Sequence, residues 1–363
     1  MKKIIKHTLP EKCRIIAVSD IHTCWHLLDS VLKKAEYRPG EDYLVIVGDI
    51  LEHWDQNLQT IDYVRNLCKN DRVYCLLGNN DTASYHMAYK YDYEKFIKRS
   101  CKKPHSTFLQ MAEKIGITEF PEEKFDELRR KVYHAFKEEL DFIERLPYVF
   151  ETQEHIFVHA GIENRPDWWN TSDTYALTEP FYLRQSHCTG KWVVVGHFPC
   201  YNYKRGNNTN LPIIDKDKKI ICIDGGLTIK PACQLNAFCI YKDGNNYSYK
   251  TVWDTFFDKK KVNCDYNSEL FPVYCDPYNN SLEILETDGE LAKVRDRISG
   301  AEGLVLKERI HCDENACYIW ENLNSFPSVK KDEIVSVCRT LGGYTQIIAE
   351  NGQVGWIPAK LLY

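Results

Sequence analysis

Along the first two-thirds of the chain, apolar residues gather in short runs that stop abruptly at polar or glycine residues. RIIAVSDIH, DYLVIVGDI, RVYCLLGNND, HIFVHAG, KWVVVGHFP and KKIICIDGG all have this form. A continuous apolar run, unlike an alternating one, marks a strand covered on both faces. Helical stretches such as HLLDSVLKKAEY and LQTIDYVRNLCKN separate the early runs. This alternation predicts an α/β layered domain with functional residues at the strand ends.

Between Asp81 and His155 the strand pattern lapses in a long insertion, taken as residues 82–146. In PEEKFDELRRKVYHAFKEELDFIERL, Phe125, Leu128, Val132, Phe136, Leu140 and Ile143 fall at steps of three or four. They form one apolar helix face, with Pro121 near its start. Such a face packs a helical cover onto a sheet; set above strand ends, it could instead form a lid shaping a substrate mouth. After about Asp258 the pattern changes again. KKKVNCDYNSEL reads as a linker, and short strands with turn residues follow.

In that tail, LEILETDGELAKVRDRISGAEGLVLKERI can be laid beside DEIVSVCRTLGGYTQIIAENGQVGWIPAKLL as a weak internal repeat. The second copy resembles a bacterial SH3-like barrel in KKDEIVSV, the Asn351-Gly352 hairpin turn and GWIPAKLL. The expected organisation is one domain over residues 1–258, a first small β-barrel over 268–312 and a second over 313–363. Trp320, Tyr344 and Trp356 either pack the barrel cores or line a groove for an extended peptide ligand.

Composition narrows the function classes. At 363 residues the chain has room for two or three domains. A net charge of −5 gives no electrostatic reason to expect nucleic acid. MKKIIKHTLPEKCRIIAVSD holds no apolar run long enough for a signal peptide or membrane span, so a cytoplasmic location is expected. The fifteen cysteines form no CxxC pair, and several sit inside apolar runs, as in RVYCLL and KIICID. Free thiols in a reducing compartment are therefore expected, with a cysteine–zinc site conceivable only around Cys312 and Cys317.

The chemistry lies at the strand ends. SDIH supplies Asp20 and His22, two apart on an extended segment and so on one side. GDI supplies Asp49, GNND supplies Asn79, FVHAG supplies His159 and VVGHFP supplies His197. Two imidazole-containing half-sites sharing one carboxylate would hold two divalent cations roughly 3.5–4 Å apart. Oxygen and nitrogen donors without sulfur favour manganese, iron or zinc.

The ordered series DxH, GD, GN, HAG and GH resembles the calcineurin-like metallophosphoesterases. Within them it is most similar to the phosphoprotein phosphatase branch with bacterial members, because FVHAG, VVVGH and ICIDGG follow one another as they do there. The resemblance covers roughly residues 10–245. It implies a four-layer α/β/β/α sandwich, followed here by the one or two SH3-like barrels. By motif position Asp20, His22 and His197 would serve one metal, Asn79 and His159 the other, with Asp49 bridging. The implied reaction is direct attack of a metal-activated hydroxide on phosphorus.

The chain also departs from that branch, which reads GDxVDRG and GNHE where this sequence has GDILEHW and GNND. Glu52 stands where an aspartate is expected, His53 where an arginine clamps phosphate, and Asn80 where a histidine acid belongs. Asparagine cannot protonate a leaving alkoxide, and general acid catalysis is commonly worth ~10²–10⁴ in rate. His53 is then a candidate displaced proton donor or phosphate contact, and Arg184 in FYLRQSH a carried-over phosphate contact, with Arg165 a weaker one. Asp81 takes the acidic place of the GN motif, where holding its neighbours is the expected role. Trp168 and Trp169 wall a substrate mouth or pack the rim.

Three functions fit the sequence. One is a phosphomonoesterase acting on phosphoserine or phosphothreonine proteins or small phosphoesters. Another is a nucleotide phosphohydrolase or phosphodiesterase of the dinucleoside polyphosphate type. The third is a metal-holding adaptor with a degenerate phosphate site.

Overall fold

The computed structural model describes residues 4–103, 106–179, 186–203, 208–268, 273–274, 280–314, 316–319 and 323–362; Arg184 and Trp320 lie outside the described residues. The chain forms two compact units. The first comprises Met1–Phe198, Pro212–Thr228 and Leu235–Asp254, and the second Pro199–Leu211, Ile229–Gln234 and Thr255–Tyr363.

The predicted apolar runs become the strands of two sheets in the first unit. One sheet has the order β11 (Asn246–Asp254), β10 (Leu235–Asp243), β2 (Lys12–Val18), β3 (Tyr43–Ile46) and β4 (Val73–Cys75). The other runs β1 (Ile4–Lys6), β5 (Val149–Glu151), β6 (His155–Val158), β7 (Trp192–Val195), β9 (Ile220–Cys222) and β8 (Ile213–Asp215). Within each, three consecutive strands are parallel: β2, β3 and β4 in one, β6, β7 and β9 in the other. Ile15, Ala17, Val45 and Phe238 of the first sheet and Phe150, Phe157, Val194 and Ile221 of the second share one buried core. Strands buried on both faces are why these runs read as continuous rather than alternating. Strand β5 falls inside the stretch read as lacking strand character; three residues are too few to show a period.

Helices α1 (Trp25–Lys34) and α2 (Asn57–Leu67) occupy the predicted stretches, and α1 lays Leu27, Leu28, Val31 and Leu32 toward β10, β11 and α2. The insertion is a bundle: α3 (Thr82–Tyr89), α4 (Tyr93–Lys102), α5 (Thr107–Lys114), α6 (Phe125–Ala135) and α7 (Lys137–Glu144). The single predicted helix is broken at Phe136, whose φ of −119° and ψ of 33° lie outside the helical region. Phe125, Val132, Leu140 and Ile143 are nevertheless buried. Phe96 of α4 sits at the centre of an aromatic cluster, with ring centroids 4.8 Å from Phe120 and Phe125 and 5.9 Å from Phe108. The insertion therefore carries an apolar core of its own. A short final helix, α8 (Asp173–Thr178), lies between β6 and β7 in sequence.

The second unit is antiparallel β. One sheet joins β12 (Asp258–Lys261), β20 (Ile334–Leu341), β21 (Tyr344–Ile348) and β22 (Val354–Pro358). A second joins β16 (Glu302–Leu306), β15 (Leu291–Asp296), β14 (Leu282–Asp288), β18 (Cys317–Tyr318) and β17 (His311–Cys312), while β13 (Val273–Tyr274) pairs with β19 (Leu323–Asn324). Three expectations are corrected. The stretch read as a linker begins with β12, because Lys259 and Lys260 pair with Ser336 and Val335. The boundary at 312/313 cuts a hairpin, since Cys312 and Cys317 face each other across β17 and β18 and are joined by a disulfide. That bond takes both sulfurs away from any zinc site and ends the expectation of thiols free throughout.

Trp356 is 1% exposed and packs with Leu306 and Phe326, with Arg309 and Arg339 over its ring at 5.7 and 5.4 Å. It is a core residue of this unit, and Tyr344 packs against the same cluster. Among the described residues, no helix is long and apolar enough to cross a membrane.

The aromatic core of the insertion yields a stability prediction. Phe96→Ala should destabilise the protein by about 3–5 kcal/mol, the usual cost of emptying a phenylalanine site. Urea unfolding followed by near-ultraviolet circular dichroism checks this; a shift below about 1 kcal/mol would mean that the cluster re-packs freely.

Candidate functional site

The parallel strands β2, β3, β4, β6 and β7 each deliver a polar side chain shortly past their last residue. Asp20 and His22 follow β2, Asp49 follows β3, Asn79 follows β4, His159 follows β6 and His197 follows β7. The turns carrying them are sharp. Asp20, His22, Asp49 and His197 all adopt positive φ, at 54°, 44°, 51° and 67°. Left-handed backbone in residues other than glycine costs of order 1–3 kcal/mol each and persists where surrounding packing enforces it. Glycines admit the close approach. A Cβ on Gly78 would collide with the backbone of Asp49, and one on Gly196 with the side chains of Ser19 and Asp20.

The side chains converge in two overlapping groups. Asp20, His22 and Asp49 offer donor atoms within 4.8 Å of one another, and so do Asp49, His159 and His197. Asp49 is common to both: its Oδ2 lies 4.0 Å from His22 Nε2 and its Oδ1 3.5 Å from His159 Nε2. The Asn79 amide end lies 3.0 Å from His159 Nε2. His197 thus groups with Asp49 and His159, not with Asp20 and His22 as motif position implied.

Each imidazole is aimed by its second nitrogen. His22 Nδ1 lies 3.3 Å from the Leu51 carbonyl, His159 Nδ1 2.9 Å from that of Val47, and His197 Nε2 3.1 Å from that of Thr178. A backbone carbonyl on one nitrogen makes it the N–H and leaves the other lone pair facing the shared centre. Asp81 performs the equivalent task for the loops. Its carboxylate accepts from the backbone N–H groups of Asp49, Ile50, Leu51 and Gly78 at 2.8–3.1 Å.

The electrostatics are those of several acids buried together. Asp20, Asp49, Asp81 and Asp224 are all buried here. Burial, with Asp49 adding repulsion and His159 opposing it, raises Asp20 to about 7. Burial and then Asp49 raise Asp81 to about 7, and burial and then Asp20 hold Asp224 well above the carboxylate range. His159 goes the other way: burial is the largest single influence and would lower it, but the charge and hydrogen bond of Asp49, with Asp20 and the Val47 carbonyl, together raise it to about 10. Among the described residues no lysine or arginine lies within ion-pair distance of these four carboxylates. Buried anions need a countercharge, and oxygen and imidazole donors around them suit divalent manganese, iron or zinc. Asp224 escaped the sequence reading, although it closes KIICID as the other candidates close their runs; its carboxylate accepts from Gly226 N–H at 2.7 Å.

The residues at the departures form a second cluster. Asn80 donates from its backbone to Asp49 Oδ1 at 2.8 Å and from its amide to Oδ2 at 2.7 Å. Lys103 donates to Asn80 Oδ1 at 2.8 Å and lies 3.3 Å from His53 Nε2. Glu52, fully buried, accepts from Thr107 N–H at 3.0 Å at the start of α5 and pairs with Arg99 at 3.5 Å. No hydrogen bond joins Glu52 to Asn80 among the described residues; Glu52 binds the insertion to the loop after β3 instead. Arg165 turns to Asp167, with N–O distances of 2.6 and 2.7 Å. Lys103 and Arg99 had no signal in the strand-end pattern that revealed the other residues.

His53 packs edge-on against His22, ring centroids 4.4 Å apart, and burial, followed by His22 and Lys103, lowers it to about 3. An imidazole lowered in this way is neutral at pH 7 and would have to take up a proton before giving one to a leaving group. A depressed histidine contributes stability that is fully present above its ordinary value near ~6.5 and lost as pH falls. Here the loss extends down to about 3 for His53 and His155 and about 4 for His86. The His53 Cε1–H resonance, assigned by its disappearance in His53→Gln, should not move between pH 8 and pH 5. A titration midpoint near the ordinary value would restore the proton-donor role.

Comparison with known proteins identifies a family. Residues 13–216, more than half of the chain, match the family described as calcineurin-like phosphoesterase. A 64-residue segment is 36% identical to symmetrical bis(5'-nucleosyl)-tetraphosphatases, covering 18% of this chain, 22% of the Cronobacter sakazakii protein and 23% of a Buchnera aphidicola one. The match thus spans about a fifth of these curated relatives. Among solved structures, a candidate diadenosine tetraphosphatase is 14% identical with a TM-score of 0.45, covering 70% of this chain and 100% of that one. A serine/threonine phosphatase from Saccharomyces cerevisiae is 10% identical with a TM-score of 0.42, covering 71% and 85%. With its family match spanning the strand ends and their converging side chains, the chain belongs to the calcineurin-like phosphoesterases.

Proposed function

We propose that this protein is a dinuclear-metal phosphoesterase whose substrates carry a good leaving group, dinucleoside polyphosphates or related nucleotide anhydrides foremost. The observation carrying the reading is the sharing of Asp49 between two buried donor groups. Asp20, His22 and Asp49 would hold one cation; Asp49, Asn79, His159 and His197 the other. When bound, the cations activate water and neutralise phosphate oxygens. The chain's own part is to fix the donors: Asp81 pins the loops, backbone carbonyls aim the imidazoles, and Asn80 holds both oxygens of Asp49.

The preference for a good leaving group rests on the mouth. Asn80 cannot protonate an alkoxide leaving from phosphoserine and a neutral His53 is not poised to, whereas a phosphate leaving group needs no acid. The matched tetraphosphatases support the same choice. Phosphoserine or phosphothreonine in proteins, suggested by the order of FVHAG, VVVGH and ICIDGG, is the second reading. The four-layer arrangement belongs to this proposal. So does the SH3-like nature of the tail; any peptide it takes would need residues other than buried Trp356.

Asp49→Asn should reduce manganese uptake from two ions per chain to at most one. It should also lower kcat on an aryl phosphate by ~10³-fold or more, several kcal/mol of transition-state stabilisation. Metal analysis after gel filtration and a panel of dinucleoside tetraphosphate, aryl phosphate, bis-aryl phosphate and phosphopeptide check both statements. Preference for the phosphopeptide would replace the nucleotide assignment by the protein-phosphatase one. Tight manganese binding without turnover on any of the four would leave a metal-holding adaptor.

A further inference from the structure

Resting on that reading, we propose that Lys103, delivered by helix α4 of the insertion, is the residue that grips the substrate phosphate in place of the family's arginine. Glu52, His53 and Asn80 mark where the expected acid and phosphate clamp are gone, and Lys103 Nζ stands between two of them, 2.8 Å from Asn80 Oδ1 and 3.3 Å from His53 Nε2. It is joined to the shared carboxylate through a single residue, since Asn80 donates to both oxygens of Asp49. The ammonium group is therefore held beside the metal donors without touching them.

Its charge is available. An ammonium has three N–H donors and no acceptor capacity; two are directed at Asn80 and His53, which leaves one for an incoming oxygen. Arg99, one turn earlier on α4, is matched by Glu52 at 3.5 Å, so its charge is already countered. Among the described residues, Lys103 lies within ion-pair distance of no carboxylate. Burial lowers its affinity for the proton, with Glu52 opposing, so an arriving phosphate would meet a poorly hydrated cation.

The position is enforced from the far side. Phe96 and Arg99 share one face of α4, and Lys103, the residue that ends the helix, donates its backbone N–H to the Arg99 carbonyl. Phe96 locks that face into the aromatic cluster, and Glu52 ties both Arg99 and the start of α5 to the loop after β3. A cation on a half-buried, doubly anchored helix end is pre-positioned for a phosphate oxygen, although it binds as a point charge and not as a bidentate fork. The helical insertion is thereby part of the substrate site rather than a cover alone.

The test uses the manganese-loaded full chain with inorganic phosphate as probe. Isothermal titration should show that Lys103→Met weakens phosphate binding by roughly tenfold to a hundredfold, the range of a charge-assisted hydrogen bond. Two manganese ions per chain should remain, and KM for an aryl phosphate should rise more than kcat falls. Lys103→Arg should recover most of the affinity. Phosphate binding by Lys103→Met within twofold of the parent overturns the proposal while leaving the phosphoesterase reading intact. A parent protein that holds two manganese ions yet neither binds phosphate nor hydrolyses any ester overturns both. Should Lys103→Met fail to fold, acetylation of the unmodified protein decides: phosphate should slow labelling of Lys103, read by mass spectrometry, and unchanged labelling overturns the proposal.

Discussion

Four carboxylates buried at one edge of the first unit, with no lysine or arginine among the described residues within ion-pair reach of them, set the terms for everything around them. Anions held away from water need a countercharge or a proton. Within the protein itself the partial answer is protons, on Asp20 and Asp81, whose affinities are raised to about 7, and on His159, raised to about 10. Divalent ions, as proposed, would complete it. They would also explain why the histidines have their outward nitrogens fastened to carbonyls: a donor set meant for a cation must not be free to rotate away.

That cluster rests on the sandwich beneath it. Fully burying an aliphatic or aromatic side chain is worth about 1.5–3 kcal/mol, and the core between the sheets contains many such residues. Strained turns at Asp20, His22, Asp49 and His197 cost a comparable amount apiece, so the strands can hold all four. Parallel order matters as well, because only parallel neighbours bring their C-terminal ends, and the turns after them, to a common edge.

How much of this was legible beforehand differs by residue. The six proposed ligands could be read because each directly follows a run of apolar residues, and that juxtaposition survives translation into three dimensions. Asp224 obeyed the same rule and was passed over. The half-site of His197 could not be read, since it depends on which sheet edge faces which, a long-range property with no local signature. Lys103 and Arg99 were illegible for a different reason. They sit on a surface-like helix where lysine and arginine are commonplace, and only the fold of a distant segment brings them beside Asn80 and Glu52. The break at Phe136 was hidden because the apolar spacing continues through it, while the β17–β18 hairpin was hidden because strands of two residues have no detectable period.

The second unit begins before the tail does. Pro199–Leu211 and Ile229–Gln234 belong to it, and they flank the stretch that carries Asp224. Thr209 bridges to Gln353, Val354 N–H donates to the Asn208 carbonyl at 2.7 Å, and a Cβ on Gly352 would press into Leu211. The β-rich region is thus threaded through the catalytic half of the sequence instead of being appended to it. Cutting the chain near Asp258 would strip the first of those segments, which begins two residues beyond His197, of its pairing partners. The single boundary suggested by a linear reading gives way to a chain that crosses between the two units five times, so neither unit corresponds to one uninterrupted stretch of sequence.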